Sequence, residues 1–235
     1  MLLNTAVAEC QALRSSDHFK NIPVKIVKKL EVPSGYHEGL FFDGKNMWLA
    51  NGQCGKIWVI DLSSGTVLST INPLATFTEG ITGYETGSYF VTDWDTQKIY
   101  RAHLVGDSLV SDLEGCLEPA HPTGVIWTGK KLFVITWTRG MGTKFCLVEM
   151  DPVELKPLSS HRIQRIHEPC MMAWDGHYLW ISSWYSKQVY KVDIDTMEIL
   201  GAFCSPASMT TGIAWDGKYM WVTGTYSDMY QLEIG

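Results

Sequence analysis

The 235-residue chain has no apolar run approaching the 18 residues that a membrane-crossing helix requires, which excludes a bundle of spanning helices. Positive charge is scarce. With 19 Lys and Arg against 25 Asp and Glu, the formal net charge is −6, so the chain has no basic field with which to hold nucleic acid or an anionic membrane surface. Short chemical motifs are missing as well: H-E-x-x-H, a P-loop, G-x-S-x-G and a dinucleotide-binding fingerprint are all absent. The six cysteines, at 10, 54, 116, 146, 170 and 204, form no C-x-x-C pair and recur at no common spacing, which favours free thiols in a reducing compartment. The first residues lack a basic segment, and Asn4 and Glu9 interrupt their apolar character, so a secretory leader fits poorly and a cytoplasmic protein is expected.

What the chain does have is repetition. "GIAWDGKYMWVTG" at 212–224 restates "MAWDGHYLWISS" at 172–183, and fainter copies begin at Gly39, Gly80 and Gly124. The five starts, Gly39, Gly80, Gly124, Met171 and Gly212, are spaced by 41, 44, 47 and 41 residues, the period of a four-stranded propeller blade. Each copy runs from an apolar segment through a turn to an alternating aromatic and β-branched segment. Asp43-Gly44, Asp175-Gly176 and Asp216-Gly217 predict hairpins in which both turn residues adopt positive φ. A third strand follows in every copy and a fourth in the first four copies. The fifth copy ends after three strands, and "VKIVKKLEV" at 24–32 stands alone ahead of the first. The prediction is an all-β, five-bladed propeller of four-stranded antiparallel blades, closed by the N-terminal strand in the last blade, which removes an unpaired sheet edge. One domain spans 21–235, with blades starting near 36, 77, 121, 168 and 209, after a lead-in over 1–20 that is a short helix or frayed.

In such a ring, residues just before the first strand and just after the second of each blade face one end of the central channel. The entry positions are Glu38, Glu79, Thr123, Cys170 and Thr211; two residues earlier stand Tyr36, Phe77, His121, Glu168 and Met209; the exit positions are Gly52, Trp94, Trp137, Trp184 and Thr225. Trp48, Trp180 and Trp221 fall in mid-strand and read as packing between blades. Trp94, Trp137 and Trp184 fall at strand ends beside polar residues, where a wet indole N–H suits a ligand pocket. Glu38 and Glu79 have two readings: acceptors that tie neighbouring blades together, or paired carboxyls whose mutual repulsion raises one pKa for acid and base work, or for holding a cationic or amine-bearing ligand. Tyr36, Phe77, His121, Glu168 and Thr225 complete the expected substrate-binding set. A divalent ion on the axis would draw on His121 and Glu168 with Glu38 or Glu79. Cys170 beside His121 reads as a buried thiol more readily than as a nucleophile. His37, His103, His161, His167 and His177 read as loop or surface residues.

The segments "YHEGL" at 36–40, "FTEGI" at 77–81, "GIAWD" at 212–216 and "WVTG" at 221–224 resemble signatures of the plant-type glutaminyl cyclases, or glutamine cyclotransferases. That resemblance implies a five-bladed propeller which cyclises an N-terminal glutamine to pyroglutamate among tryptophans in the channel mouth. It puts Trp94 and Trp184 at pocket positions and Glu79 at the family's "GEG" glutamate. The chain departs from the pattern at Leu49, where the resemblance implies a proton-shuttling glutamate, and at Thr225, where it implies a lysine. Three functional readings stand: an enzyme acting on an amine or amino-acid-like small molecule with glutamate as acid and base, a glutaminyl-peptide cyclotransferase, and a non-catalytic ligand- or peptide-binding propeller.

Overall fold

A computed structural model describes residues 19–140 and 142–235, and in them the chain forms twenty strands and no helix. Strand β1 (Val24–Leu30) comes first. The blades are then β2 (His37–Phe42), β3 (Met47–Asn51), β4 (Lys56–Ile60) and β5 (Val67–Ile71); β6 (Thr78–Gly83), β7 (Ser88–Asp93), β8 (Lys98–Val105) and β9 (Ser108–Cys116); β10 (His121–Trp127), β11 (Leu132–Thr138), β12 (Lys144–Met150) and β13 (Pro157–Arg162); β14 (Pro169–Trp174), β15 (Leu179–Ser183), β16 (Gln188–Val192) and β17 (Ile199–Cys204); and β18 (Thr210–Trp215), β19 (Met220–Gly224) and β20 (Met229–Ile234). The fifth sheet runs β1-β20-β19-β18, so the N-terminal strand supplies the missing outer edge, as the repeat count required. The predicted lead-in over 1–20 falls almost entirely outside the described residues. Directly after it, Asn21 bridges Ala202 in parallel, and Ile22 N–H donates to the Ala202 carbonyl at 2.9 Å.

The innermost strands β2, β6, β10, β14 and β18 pack each against the next, with β18 returning to β2. An apolar cluster fills each of the five seams. The seam between the first and last blades holds Leu40, Met47, Leu49, Ile60, Ala214, Trp221 and Met229. Close approach of the inner strands needs residues without side chains. A Cβ at Gly39 would lie 2.7 Å from the Glu79 carbonyl oxygen, at Gly80 2.9 Å from that of Thr123, at Gly124 2.7 Å from that of Cys170, and at Gly212 2.4 Å from that of Glu38. The glycine after each of four entry positions therefore lets the next blade's entry residue come alongside. That is how Glu38, Glu79 and Cys170 are brought together.

The hairpin turns differ from expectation. Gly44, Gly176 and Gly217 have φ of 96°, 99° and 96°, but the preceding aspartates are not in the positive-φ region. Asp43, Asp175 and Asp216 instead cap four-residue loops: one carboxylate oxygen accepts the backbone N–H groups two and three residues on, and the other accepts the indole N–H of Trp48, Trp180 or Trp221 at 2.9, 2.8 and 2.7 Å. The mid-strand tryptophans are thus packed and hydrogen-bonded in the seams, as predicted.

Two further expectations are corrected. Cys54, Cys116, Cys146 and Cys170 are free, but Cys204 is disulfide-bonded, a link that a repeat-based reading has no means of seeing. His37 is no surface histidine: it is buried, with Nδ1 2.9 Å from the Ser227 carbonyl oxygen and Nε2 2.8 Å from that of Pro33, at the point where the ring closes.

Candidate active site in the channel mouth

At one end of the channel the blades enclose a cavity of about 480 Å³, the size of a small-molecule site. Its walls are aromatic, from Tyr36, Phe77, Trp94, Trp137, Phe145 and Trp184, and its polar lining comes from Glu38, Gln53, Glu79, Asp95, Arg139 and Glu168, with Thr123 and Cys170. Trp94 and Trp137 meet edge to face at 5.2 Å, and Tyr36 packs the same way on Phe77 at 6.0 Å. The exit positions of the first and last blades carry no large side chain. Beside Gly52, the Phe77 ring occupies the space that a side chain would fill.

Glu38 and Glu79 lie at the buried end, with 4% and 8% of their surfaces exposed, and neither carboxyl has a hydrogen-bonding partner among the described residues. Burial, and then repulsion from Glu79, holds Glu38 well above the usual carboxylate range. Burial, and then the charge of Asp95, pushes Glu79 up to about 8. The Cys170 thiol is raised by burial and by both glutamates, which keeps it a thiol at neutral pH. At pH 7 this end of the cavity therefore stores protons. A bound ammonium would reverse the balance by favouring ionised carboxylates.

The sequence-predicted residues divide as follows. Tyr36, Glu38, Phe77, Glu79, Trp94, Trp137, Glu168 and Trp184 all line the cavity. His121 does not: it stacks on Trp94 at 4.5 Å, donates from Nδ1 to the Trp94 carbonyl at 2.9 Å and receives the Gln97 amide on Nε2 at 3.1 Å. Thr225 is buried outside the lining, its hydroxyl without a partner among the described residues. Leu49 is sealed in the seam between the first and last blades, so it too is no part of the cavity. The Trp137 indole N–H is buried without an acceptor, not wet as expected.

The expected metal set also changes. Among the described residues, the group whose ligand atoms converge is Glu38, Glu79 and Cys170, all within 4.8 Å of one another, without His121 or Glu168. Two carboxylates and a thiolate could hold a cation, at the expense of three protons that burial now favours. The pairing of Cys170 with His121 is not formed, since both ring nitrogens of His121 are engaged elsewhere and Cys170 Sγ lies 4.0 Å from the Thr211 carbonyl oxygen. Gln53, Asp95, Arg139, Phe145 and Pro169 were not foreseen. Gln53 and Asp95 each follow an exit position, Pro169 precedes an entry position, Phe145 lies in the third strand β12 and Arg139 two residues beyond an exit position, all next to the positions that the repeat places on the channel. Only the polar character of Asp95 and Arg139 beside the rim tryptophans hinted at them.

No protein-family model matches the sequence, and a search of curated proteins finds no significant match. Solved structures do resemble it. Glutaminyl cyclase from Myxococcus xanthus aligns with a TM-score of 0.76 at 13% identity over 92% of this chain and 98% of that one. The PQQ-bound aldose sugar dehydrogenase from Streptomyces coelicolor aligns with a TM-score of 0.59 at 11% identity over 92% and 99%. Hydrazine synthase from Kuenenia stuttgartiensis aligns with a TM-score of 0.55 at 13% identity over 81% of each chain. At such identities the likeness is one of fold: the five-bladed propeller is similar in shape to a glutaminyl cyclase.

Proposed function

We propose that the protein is an enzyme acting on a small amine or amino-acid-like substrate, with Glu38 and Glu79 as the proton-handling pair. The observation that carries this reading is the two buried, unpartnered carboxyls at the closed end of an indole-walled cavity. An amine entering in its neutral form takes one proton from the pair and remains hydrogen-bonded to it as an ammonium. One carboxyl is then ionised beside one that is protonated, the arrangement in which one acts as base while the other supplies a proton to a leaving group. The aromatic walls exclude water and present ring faces to the cationic form of the substrate.

A second reading, cyclisation of an N-terminal glutamine, is supported by the likeness in shape to the Myxococcus enzyme. In that reaction the α-amine attacks the side-chain amide carbon, the carbon–nitrogen bond to the amide nitrogen breaks, and the proton lost by the amine leaves on ammonia. In this reading the pair Glu38 and Glu79 carries that proton. Leu49 and Thr225, where the chain departs from the family's pattern, do not line the cavity, so in this reading Glu38 and Glu79 stand in for the glutamate and lysine that the pattern has there.

The test is a panel of primary amines, amino acids and glutaminyl peptides, followed by tryptophan fluorescence for binding and by ammonia release for turnover. An amine ligand should bind the intact protein, and Glu79→Gln and Glu38→Gln should each reduce turnover on the order of 100-fold or more. Turnover unchanged in both variants, or no amine bound at millimolar concentration, would remove this reading. Binding without turnover of any panel member would favour a non-catalytic ligand-binding propeller.

A further inference from the structure

Charge along the cavity is uneven. The acids Glu38 and Glu79 occupy its buried end, whereas Arg139, just beyond β11, lines its exposed rim. The Arg139 guanidinium carbon lies 5.0 Å from the Trp94 ring centroid and 5.4 Å from that of Trp137, so two indole faces fix it over the opening. Aromatic stacking leaves the edge of a guanidinium, with its fork of N–H donors, free for hydrogen bonding. Asp95 and Glu168 line the same cavity, yet no ion pair joins either to Arg139 among the described residues, and Arg139 makes no hydrogen bond there. The guanidinium edge of Arg139 therefore offers donors for which the described residues supply no acceptor.

Resting on the amine reading above, we propose that Arg139 is a specificity-determining residue that binds a carboxylate on the far end of the ligand, making the preferred ligand a zwitterion of about dipeptide size. Its amine enters first, toward Glu38 and Glu79, and its carboxylate stays at the rim against the guanidinium edge. A planar carboxylate matches the guanidinium fork in two parallel hydrogen bonds, which an amide of the same shape cannot reproduce. The negative charges of Asp95 and Glu168 oppose a carboxylate placed elsewhere on the rim, so the Arg139 side is where it is accepted.

The test compares the dipeptide phenylalanyl-glycine with its C-terminal amide by calorimetric titration against the intact protein, Arg139→Gln and Arg139→Lys. The free acid should bind about tenfold more tightly than the amide to the intact protein, in line with a charge-assisted pair at a partly solvated site. Arg139→Gln should bring the two ligands to within about twofold by weakening the acid alone, and Arg139→Lys should keep part of the preference, since lysine offers charge without the fork. Arg139 is exposed, so these variants are expected to fold, and unchanged melting checks this. Equal affinity of acid and amide for the intact protein, or a preference that survives Arg139→Gln, would overturn the assignment while leaving the amine reading in place. Failure of both ligands to bind would overturn the dipeptide-sized assignment, and the amine reading would fall with it only if no member of the amine panel bound.

Discussion

Glu79 keeps its proton up to about pH 8 in the folded protein, whereas a glutamate in an unfolded chain titrates near 4.3. Between those values the native state binds more protons than the unfolded state, so stability falls as pH rises through the window. Below it both states are protonated and the penalty is absent; above it both are ionised and the loss is complete. Glu38 is shifted in the same direction and adds to the slope. The intact protein should therefore show a denaturation midpoint that declines from pH 5 to pH 8.5, by at most about 1.4 kcal/mol per pH unit for each fully linked proton. Glu79→Gln cannot ionise, so it should flatten much of that slope and unfold later than the intact protein at pH 8.5. An intact protein whose stability is level across the window would mean that the carboxyls are solvated, and the proton-storing site would be lost with them. The same titration sets the expected pH profile of turnover, rising toward pH 8 where the base form of Glu79 accumulates.

At the scale of the element, the blade is legible because its turn chemistry is written in the sequence. In three of the five blades the aspartate that caps the hairpin loop and the tryptophan five residues on are one unit, which is why "DG" and a following Trp recur together. Asp175→Ala removes the acceptor for two backbone N–H groups and for the buried Trp180 indole. It should cost on the order of 2 kcal/mol in chemical denaturation, with Asp175→Asn intermediate; a loss no larger than that of an exposed-loop substitution would show that the cap is incidental. Entry positions were legible for a similar reason. Strand alternation is rigid, so counting from the repeat places Glu38, Glu79, Thr123 and Cys170 on the channel. His121 escaped that count because β10 begins two residues before its entry position, where the other inner strands begin one before. Glu168 and Met209, at the equivalent position, have φ of 45° and 47°, whereas His121 has joined the strand opposite Trp137 and turned behind Trp94. Asp95 and Arg139 escaped it because they lie one and two residues beyond the exit positions Trp94 and Trp137, past the positions that the count places on the channel.

At the scale of the whole molecule, the ring is held shut by a strand that belongs to no repeat. All of β1 pairs with β20, from Val24 opposite Ile234 to Leu30 opposite Met229, across one register shift. Lys28 Nζ reaches the Leu62 and Ser63 carbonyl oxygens at 2.7 Å each, Lys29 pairs with Asp228 at 2.8 Å, and the Pro33 carbonyl faces the buried His37 ring. The Lys28 contacts join the last blade to the first and the Lys29 pair ties β1 to its own sheet, so their loss opens the seam and leaves β20 as a bare edge. A chain beginning at Pro33 should lose the single cooperative transition expected of a closed ring, bind a dye for exposed apolar surface, and associate through the uncovered edge. Because the inner strands deliver Glu38 and Glu79 to the cavity only while the ring is closed, ligand binding should fall along with cooperativity. A synthetic peptide covering residues 21–34, added in excess, should restore both by refilling the edge position, as a ligand that binds only the closed form. If the shortened chain melted like the intact one, or if the peptide restored nothing, closure by β1 would not be what holds the site together, and the five seams would have to be stable without it.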